Sequence, residues 1–349
     1  MPRPCPAPPP GASSPRHGAR PSPGHPPKSP PPRALAALIP IALVILFLAL
    51  ARFMASPPRL EAQGDRVAAA SYPVWLFTRY LNHGRDFFRV ELMTNPETGC
   101  PHEFNPRPRD LERLTQTKNL VENGLGLEVY LRRALRVAPP DIFIIDASQG
   151  VPTLLNNTGR VEVPGDPAQT SVTPNPHIFL SPKNASIMAA NIAKGLSEKD
   201  PAGTEHYKDR LGRFQASMTT LEEEIRAFRV GHRGYKVVTS HGFMDYLAQE
   251  MGLAIIADIE PAPEVPPSPA RLAGLAGIIR ELGVSAILVE PHADLSQAKT
   301  LGSETRIPVA MVDPATSGSS DPPEDYYQQV IRSDIVMLAK LLPVNSAGK

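Results

Sequence analysis

Short apolar runs alternate with helical segments on both sides of one long helical stretch, and this pattern strongly constrains the fold. Runs of strand length separated by segments of helical periodicity are typical of parallel βαβ units. The pattern predicts strands at 66–71, 88–93, 120–123, 141–146, 235–240, 254–259, 286–290 and 309–312. We therefore predict an α/β fold of two lobes, each holding a parallel sheet flanked by helices.

The stretch between the two series of strands is predicted to form one helix over 205–229. It contains no proline, and no glycine after Gly212. Its apolar residues recur at steps of three and four, as in an amphipathic helix: Leu211, Phe214, Met218, Leu221, Ile225 and Phe228. Such a helix would be roughly 35 Å long. We expect it to join the two lobes as a rigid connection.

The N-terminal part of the chain differs in composition from the rest. Residues 1–33 are rich in proline and carry five basic and no acidic side chains, so we expect them to be disordered. Residues 34–51 carry no charge, which predicts a membrane anchor or signal segment over 34–54. The basic flank places the N-terminus in the cytoplasm and the body in the periplasm or extracellular space.

We favour an uncleaved anchor, because Arg52, Phe53 and Met54 crowd the boundary where a convincing small-x-small cleavage site would lie. No lipid-anchor cysteine follows the apolar run. Cleavage to a soluble periplasmic protein is the alternative. The full division is a leader (1–33), the anchor (34–54), a linker (55–65), an N-terminal lobe (66–203), the connecting helix (204–230) and a C-terminal lobe (231–345). The net charge of +1 argues against nucleic acid as a partner.

Four metal-capable side chains lie on proline-flanked loops or directly after predicted strands: His102, His177, His241 and Asp313. Ligands of open α/β sheets bind at the carboxyl ends of the strands. Three imidazoles and one carboxylate suit a four-coordinate Zn²⁺ or part of a larger Mn²⁺ set. Two ligands from each half would place the ion in a cleft between the lobes.

Other residues near this site admit two interpretations. Asp313 could instead cap a turn before Pro314, and Glu290 could be a ligand, although a structural hydrogen bond is favoured. Cys100, two residues before His102, could be a soft ligand, although a free thiol near the cleft is favoured. It lies across the membrane segment from Cys5, so no internal disulfide is expected.

Four further predictions concern histidines outside the site and the segment that follows His177. We expect His292 on the surface or the rim of the cleft, and His83, His206 and His232 exposed to solvent. A short strand is predicted over 177–180, and a helix over 184–196 with Asn184 as its N-cap.

At these residues the chain resembles the solute-binding proteins of zinc and manganese ABC importers, over about residues 66–342. The resemblance rests on the order and spacing of six segments: Pro101-His102-x-Phe104-x-Pro106-x-Pro108-x-Asp110, Asn123-Gly124-x-Gly126-Leu127-Glu128, 177–182, Ser240-His241 with Tyr246-Leu247, Ser268-Pro269-x-x-Leu272 with Glu290-Pro291, and Val312-Asp313-Pro314.

The resemblance implies a monomeric protein outside the cytoplasm that captures a metal between two lobes. It also implies delivery of the metal to a permease that works with an ATPase. By this resemblance, the metal ligands are His102, His177, His241 and Asp313. The third ligand is histidine, His241, which in this family favours zinc over manganese. Three features depart from the family: no His- and acid-rich loop is present, a proline-rich leader and an apolar anchor stand in place of the lipid-anchor cysteine, and Gly242 stands where an acidic residue is common.

Two other functions use the same residues. A metallohydrolase would need an open coordination position and a general base, for which Glu103 and Glu290 are the candidates. An adhesion protein could carry the metal incidentally. We favour the binding protein, with no catalytic residues and no enzymatic activity.

Overall fold

The fold contains two parallel sheets, one formed by strands before a long helix in the chain and the other by strands after it. The computed structural model describes residues 65–344 except 86, 98, 132–134, 137–140, 158, 165–172 and 262–264. All the described residues belong to one unit. The leader, and the apolar segment predicted over 34–54, lie outside the described residues. Within the described part, no helix is both long and apolar enough to cross a bilayer.

The two sheets have the same strand order. The first contains β1 (Arg66–Ala69), β2 (Arg89–Leu92), β3 (Asn119–Glu122) and β4 (Phe143–Asp146), ordered β2-β1-β3-β4. The second contains β5 (Lys236–Thr239), β6 (Ala254–Asp258), β7 (Ala286–Val289) and β8 (Val309–Met311), ordered β6-β5-β7-β8. Every pairing is parallel, which confirms the predicted α/β class.

This order sets where a ligand can bind. In each sheet the first strand lies between the second and the third, so the connections leave it in opposite directions. Ligands of open sheets bind at the carboxyl ends of the strands at such a switch point. A site is therefore expected at the carboxyl ends of the strands in each sheet.

Helices flank both sheets. They are α1 (Tyr72–Asn82), α2 (Pro108–Thr115), α3 (Pro182–Lys199), α4 (Thr204–His232), α5 (Asp245–Met251), α6 (Pro269–Leu282), α7 (Leu295–Thr305) and α8 (Tyr326–Leu341). At α6, Ser268 accepts from the Arg271 N–H and Pro269 occupies the first turn, as the sequence indicates.

The long helix α4 confirms the predicted joining element and extends it at both ends. It packs on α1 and α3 before it in the chain and on α5 and α8 after it. The predicted apolar stripe from Phe214 to Phe228 is buried, and Leu211 packs partly buried against the same core. This core contains residues of both sheets, so α4 connects the lobes through a continuous apolar interior.

Two local predictions are wrong at the segment around His177. Residues 177–180 do not form a strand. Ile178–Leu180 is a 3₁₀ helix, because Pro176 and Pro182 bracket a segment too short to reach a sheet and its backbone bonds close locally. The following helix begins at Pro182, and Ser181 rather than Asn184 is its N-cap, since the Ser181 hydroxyl accepts from the Asn184 N–H at 3.1 Å.

A buried carboxyl ties the ends of β1 and β3 together. Glu128 Oε1 accepts from the Asn123 N–H at 2.8 Å and from the Ser71 hydroxyl at 3.1 Å. The side-chain Nδ2 of Asn123 also donates to the carbonyl of Pro176 at 2.9 Å. Glu128 therefore helps to fix the residue that precedes His177.

Burial raises the pKa of Glu128 to about 8 from 4.5, so the folded state keeps a proton that the unfolded chain loses above pH 4.5. The stability that this retained proton contributes is fully present below pH 4.5. Between pH 4.5 and 8 the free energy of unfolding falls by up to about 1.4 kcal/mol per pH unit. Glu128→Gln keeps the accepting oxygen without the charge. Urea unfolding measures the free energy of unfolding at pH 5 and pH 8, and we expect the variant to be more stable relative to the native chain at pH 8 than at pH 5. If the free energy of unfolding changed equally with pH in both proteins, the raised pKa of Glu128 would be contradicted.

Candidate metal centre

Three histidines from distant parts of the chain meet between the two sheets. His102 lies on a 3₁₀ helix, Pro101–Glu103, that follows β2. His177 is the N-cap of the 3₁₀ helix Ile178–Leu180, and His241 comes directly after β5. The ring centroids of His102 and His177 lie 5.3 Å apart, and those of His177 and His241 lie 5.1 Å apart. The structure thus brings the three predicted imidazoles together.

Asn175 fixes the orientation of the His177 ring. Its Oδ1 lies 2.9 Å from both the backbone nitrogen and Nδ1 of His177. Its amide nitrogen donates to the carbonyl of Gly242 at 2.6 Å and to Asp245 Oδ2 at 3.1 Å, so Oδ1 must be the acceptor. The proton of His177 is therefore on Nδ1, and the lone pair of Nε2 is available for a metal.

His241 faces a carboxylate, at a distance longer than that of a hydrogen bond. Its Nδ1 lies 3.7 Å from Glu290 Oε2, at the end of β7. Its Nε2 is buried and has no hydrogen-bond partner, and the same holds for Nε2 of His102. A buried polar atom without a partner costs stability. Two such nitrogens beside a third imidazole fit a site built for a metal.

Burial keeps the three imidazoles neutral. It lowers the pKa of His102, and it lowers the pKa of His241 to about 3. The pKa of His177 is lowered well below its usual value by burial and by the neighbouring His241 and His102. Neutral imidazoles are the form that binds metals, so the site is ready to bind at physiological pH without losing protons from its rings.

Asp313, the fourth predicted ligand, follows β8 with its own set of contacts. Its Oδ1 accepts from the Ala315 N–H at 2.8 Å, and its backbone N–H donates to Asp334 at 3.2 Å. Burial raises the pKa of Asp313, and the nearby His292 opposes that shift. The hydrogen bond from the Ala315 N–H matches the alternative in which Asp313 caps a turn. It uses Oδ1, so Oδ2 of Asp313 could bind another partner.

Cys100 is a member of the site that the sequence interpretation set aside. Within the described residues, the metal-capable atoms of Cys100, His177 and His241 all lie within 4.8 Å of one another. The Cys100 sulfur is 3.8 Å from Nε2 of His177, and only 5% of Cys100 is exposed. In the sequence, the feature that could have indicated this position is that Cys100 lies two residues before His102.

A second feature that the sequence did not reveal is the charged network behind Asn175. Arg160 pairs with Asp245 at 2.5 Å and with Asp258 at 3.0 Å, and all three side chains are buried. The Thr239 hydroxyl, at the end of β5, donates to Asp258. The chain of contacts thus runs from β5 and β6 through Asp245 to Asn175 and the His177 ring.

Removal of Asn175 should weaken metal binding although this residue does not touch the ion. Asn175→Ala removes the acceptor that holds Nδ1–H of His177, and loss of such an outer partner costs about 10–100-fold in metal affinity. Competition against a zinc chelator measures the change. Asn191→Ala is the matched control, since Asn191 holds only the carbonyls of Ala147 and Gln149 and should leave the affinity unchanged. Equal affinities for both variants would exclude the orienting role.

Four histidines outside the site test the remaining predictions, and of these His83 is exposed as predicted, whereas His206 is half-buried, which contradicts its prediction. His292 is exposed, with Nε2 2.7 Å from the hydroxyl of Ser317, consistent with a position at the rim. His232 is not exposed: it is 6% accessible and stacks on Phe228 with 4.2 Å between ring centroids. The prediction for His232 is wrong because this residue lies on the buried face of α4, one turn after Phe228, while Val230 in the same turn is exposed.

Comparisons with known proteins show the family to which the chain belongs. The sequence model of the family described as "Zinc-uptake complex component A periplasmic" matches residues 67–341. The chain is 26% identical over 248 residues to the high-affinity zinc uptake system protein ZnuA of Bacillus subtilis, covering 70% of this chain and 77% of that protein. It is 27% identical over 236 residues to the manganese ABC transporter substrate-binding lipoprotein PsaA of Streptococcus pneumoniae, covering 63% and 71%.

Solved structures share the fold. The solute-binding protein FpvC from Pseudomonas aeruginosa in complex with Mn²⁺ superposes with a TM-score of 0.70 at 23% identity, over 80% of this chain and 99% of that one. A crystal structure of ZnuA gives a TM-score of 0.67 at 22% identity, over 80% and 100%. Both superpositions show that the chain shares the overall fold of these proteins.

Proposed function

Because the chain belongs to the family of periplasmic zinc-uptake components, we propose that it is the solute-binding component of an ABC importer. It captures a divalent transition metal between its two lobes and delivers the ion to a permease driven by an ATPase. The observation that carries this proposal is the convergence of His102, His177 and His241, with two buried Nε2 atoms that have no other partner.

The proposed ligands are the Nε2 atoms of the three histidines, with Asp313 as the fourth ligand that the sequence motif supplies. A set dominated by imidazole suits Zn²⁺ better than Mn²⁺, which prefers oxygen ligands. Zinc is therefore the proposed cargo, and manganese is the second candidate. The metal is a transported solute.

Binding rather than catalysis is the proposed activity. A catalytic zinc site keeps an open position for water or substrate, whereas His177 and His241 are at most 8% exposed. Glu290, one candidate for a general base, faces Nδ1 of His241. That contact suits a group that orients the ring.

The protein body is proposed to lie outside the cytoplasm, held to the membrane by the segment over 34–54 and acting as a monomer. This topology rests on the basic flank of the apolar run and on the family's place beside a membrane permease. Cleavage at this segment would release a soluble periplasmic form.

Calorimetric titration of the metal-free full chain tests the proposal. We expect one Zn²⁺ per chain, bound much more tightly than Mn²⁺, because nitrogen ligands follow the order of affinities in which Zn²⁺ exceeds Mn²⁺. The zinc-loaded protein should show no turnover of ester, phosphoester or peptide substrates. Absence of a one-to-one zinc complex would overturn the proposal, and hydrolytic turnover that depends on the metal would favour an enzyme instead.

A further inference from the structure

The spacing between Cys100 and His177 is close to that of two ligands of one zinc ion. Bonds of about 2.3 Å to sulfur and about 2.0–2.1 Å to nitrogen, at a tetrahedral angle, separate the two ligand atoms by about 3.6 Å. The Cys100 sulfur and His177 Nε2 are 3.8 Å apart. Since Nδ1 of His177 carries its proton, the lone pair of Nε2 is on the nitrogen that faces the Cys100 sulfur.

A second observation, independent of the cysteine, indicates that an ion belongs there. The His241 side chain is at least nine-tenths buried, and its Nε2 has no hydrogen-bond partner. One metal-capable atom of His241 lies within 4.8 Å of both the Cys100 sulfur and the metal-capable atom of His177. Because Nδ1 of His241 faces Glu290, Nε2 is the atom left for a ligand in this cluster.

The backbone holds Cys100 in this position. Gly99 has a φ of +78°, and a Cβ there would come within 2.9 Å of the His292 side chain, so the turn before Cys100 requires glycine. Cys100 is the N-cap residue of the 3₁₀ helix Pro101–Glu103. The thiol and the His102 imidazole are therefore carried by one short, proline-fixed turn at the same side of the cleft.

We propose that Cys100 is a direct thiolate ligand of the transported metal, in a site with His102, His177 and His241. This rests on the proposed function and deepens it. On binding, the S–H bond breaks, its proton leaves to solvent, and the sulfur forms a bond to the metal. Three nitrogens and one thiolate form a closed tetrahedral zinc set, so Cys100 takes the fourth position that the sequence motif gives to Asp313. A thiolate also selects Zn²⁺ against the oxygen-preferring Mn²⁺.

Cobalt substitution distinguishes the two candidates for the fourth position. The full chain carrying Cys5→Ser keeps Cys100 as its single thiol and serves as the background. Loaded with Co²⁺, it should show the intense near-ultraviolet charge-transfer band of a thiolate–cobalt bond. Asp313→Asn should retain that band, and Cys100→Ser should lose it. Cys100→Ser should also lower the zinc affinity more than tenfold while changing the manganese affinity less, so that the zinc-to-manganese selectivity falls.

The zinc K-edge absorption spectrum of the Cys5→Ser chain gives a second test that does not depend on whether Cys100→Ser folds. We expect a sulfur shell at about 2.3 Å. A fit by nitrogen and oxygen alone, or a cobalt band that is absent from the background chain, would overturn the proposal for Cys100 and leave one-to-one zinc binding, and hence the proposed function, intact. Failure of the background chain to bind zinc would overturn both.

Discussion

Replacement of His177 by alanine is expected to lower the affinity for Zn²⁺ by more than about 100-fold, because loss of a direct ligand should exceed the 10–100-fold cost of losing an outer partner. His177 is the central imidazole of the three, and Asn175 fixes its Nε2 towards the site. Competition between the protein and a zinc chelator of known affinity measures the effect, and thermal unfolding of the metal-free variant checks that it folds.

The matched control is His83→Ala. His83 is exposed, with a 65% accessible side chain near Glu324, and should bind zinc as the native chain does. Removal of both His102 and His241 should abolish one-to-one binding. If His177→Ala bound zinc within threefold of the His83→Ala affinity, the assignment of the site would be wrong.

The second large effect is expected at Arg160, which pairs with Asp245 and Asp258 beneath the site. Burial raises the pKa of Asp245, and Arg160 opposes that shift, so the guanidinium favours the charged form of this carboxylate. Arg160→Leu would leave two buried carboxylates without their cation. Breaking a buried ion pair from one side costs about 3–5 kcal/mol, and we expect a loss of that size in the free energy of unfolding.

Arg332→Leu is the control, because Arg332 pairs with Glu224 through two bonds at 2.9 and 3.0 Å on the surface. An exposed pair contributes about 0–1 kcal/mol. Urea unfolding of both variants gives the comparison. Arg160→Leu should also weaken zinc binding, since Asp245 holds the amide of Asn175. Equal stability losses in the two variants would show that the buried network does not stabilise the protein.

The strands and their order along the chain could be predicted because both sheets are parallel and their central strands are largely buried. Strands such as Ala286–Val289 are buried at every position and stand out as continuous apolar runs between helical segments. The long helix could also be predicted, because its buried apolar residues recur at steps of three and four in the sequence. Helix α7 escaped prediction because its sequence, LSQAKTLGSET, is mostly polar and buries little beyond Ala298, Leu301 and Gly302.

The histidines of the site could be found because each lies on a loop marked by prolines or a strand end. The partners that orient them could not. Asn175 is two residues from His177, but its other contacts are with Gly242 and Asp245, about 70 residues away in the chain. Arg160 meets Asp258 across a separation of 98 residues. No periodicity or local spacing encodes such contacts, which arise only when the two sheets pack together.

Cys100 shows a different limit of sequence interpretation. Its position two residues before His102 was visible, but the sequence left the direction of its side chain undetermined. The positive φ of Gly99 and the turn that begins at Pro101 set that direction. The thiol consequently approaches His177, a residue 77 positions later in the chain.

The most direct test of the central claim is a crystal structure of the zinc-loaded protein with anomalous data collected at the zinc edge. We expect one strong anomalous peak per chain, about 2.0–2.1 Å from Nε2 of His102, His177 and His241. Nδ1 of His177 should remain bonded to Asn175. A peak bound to fewer than two of these imidazoles, or located outside the space between the two sheets, would contradict the account.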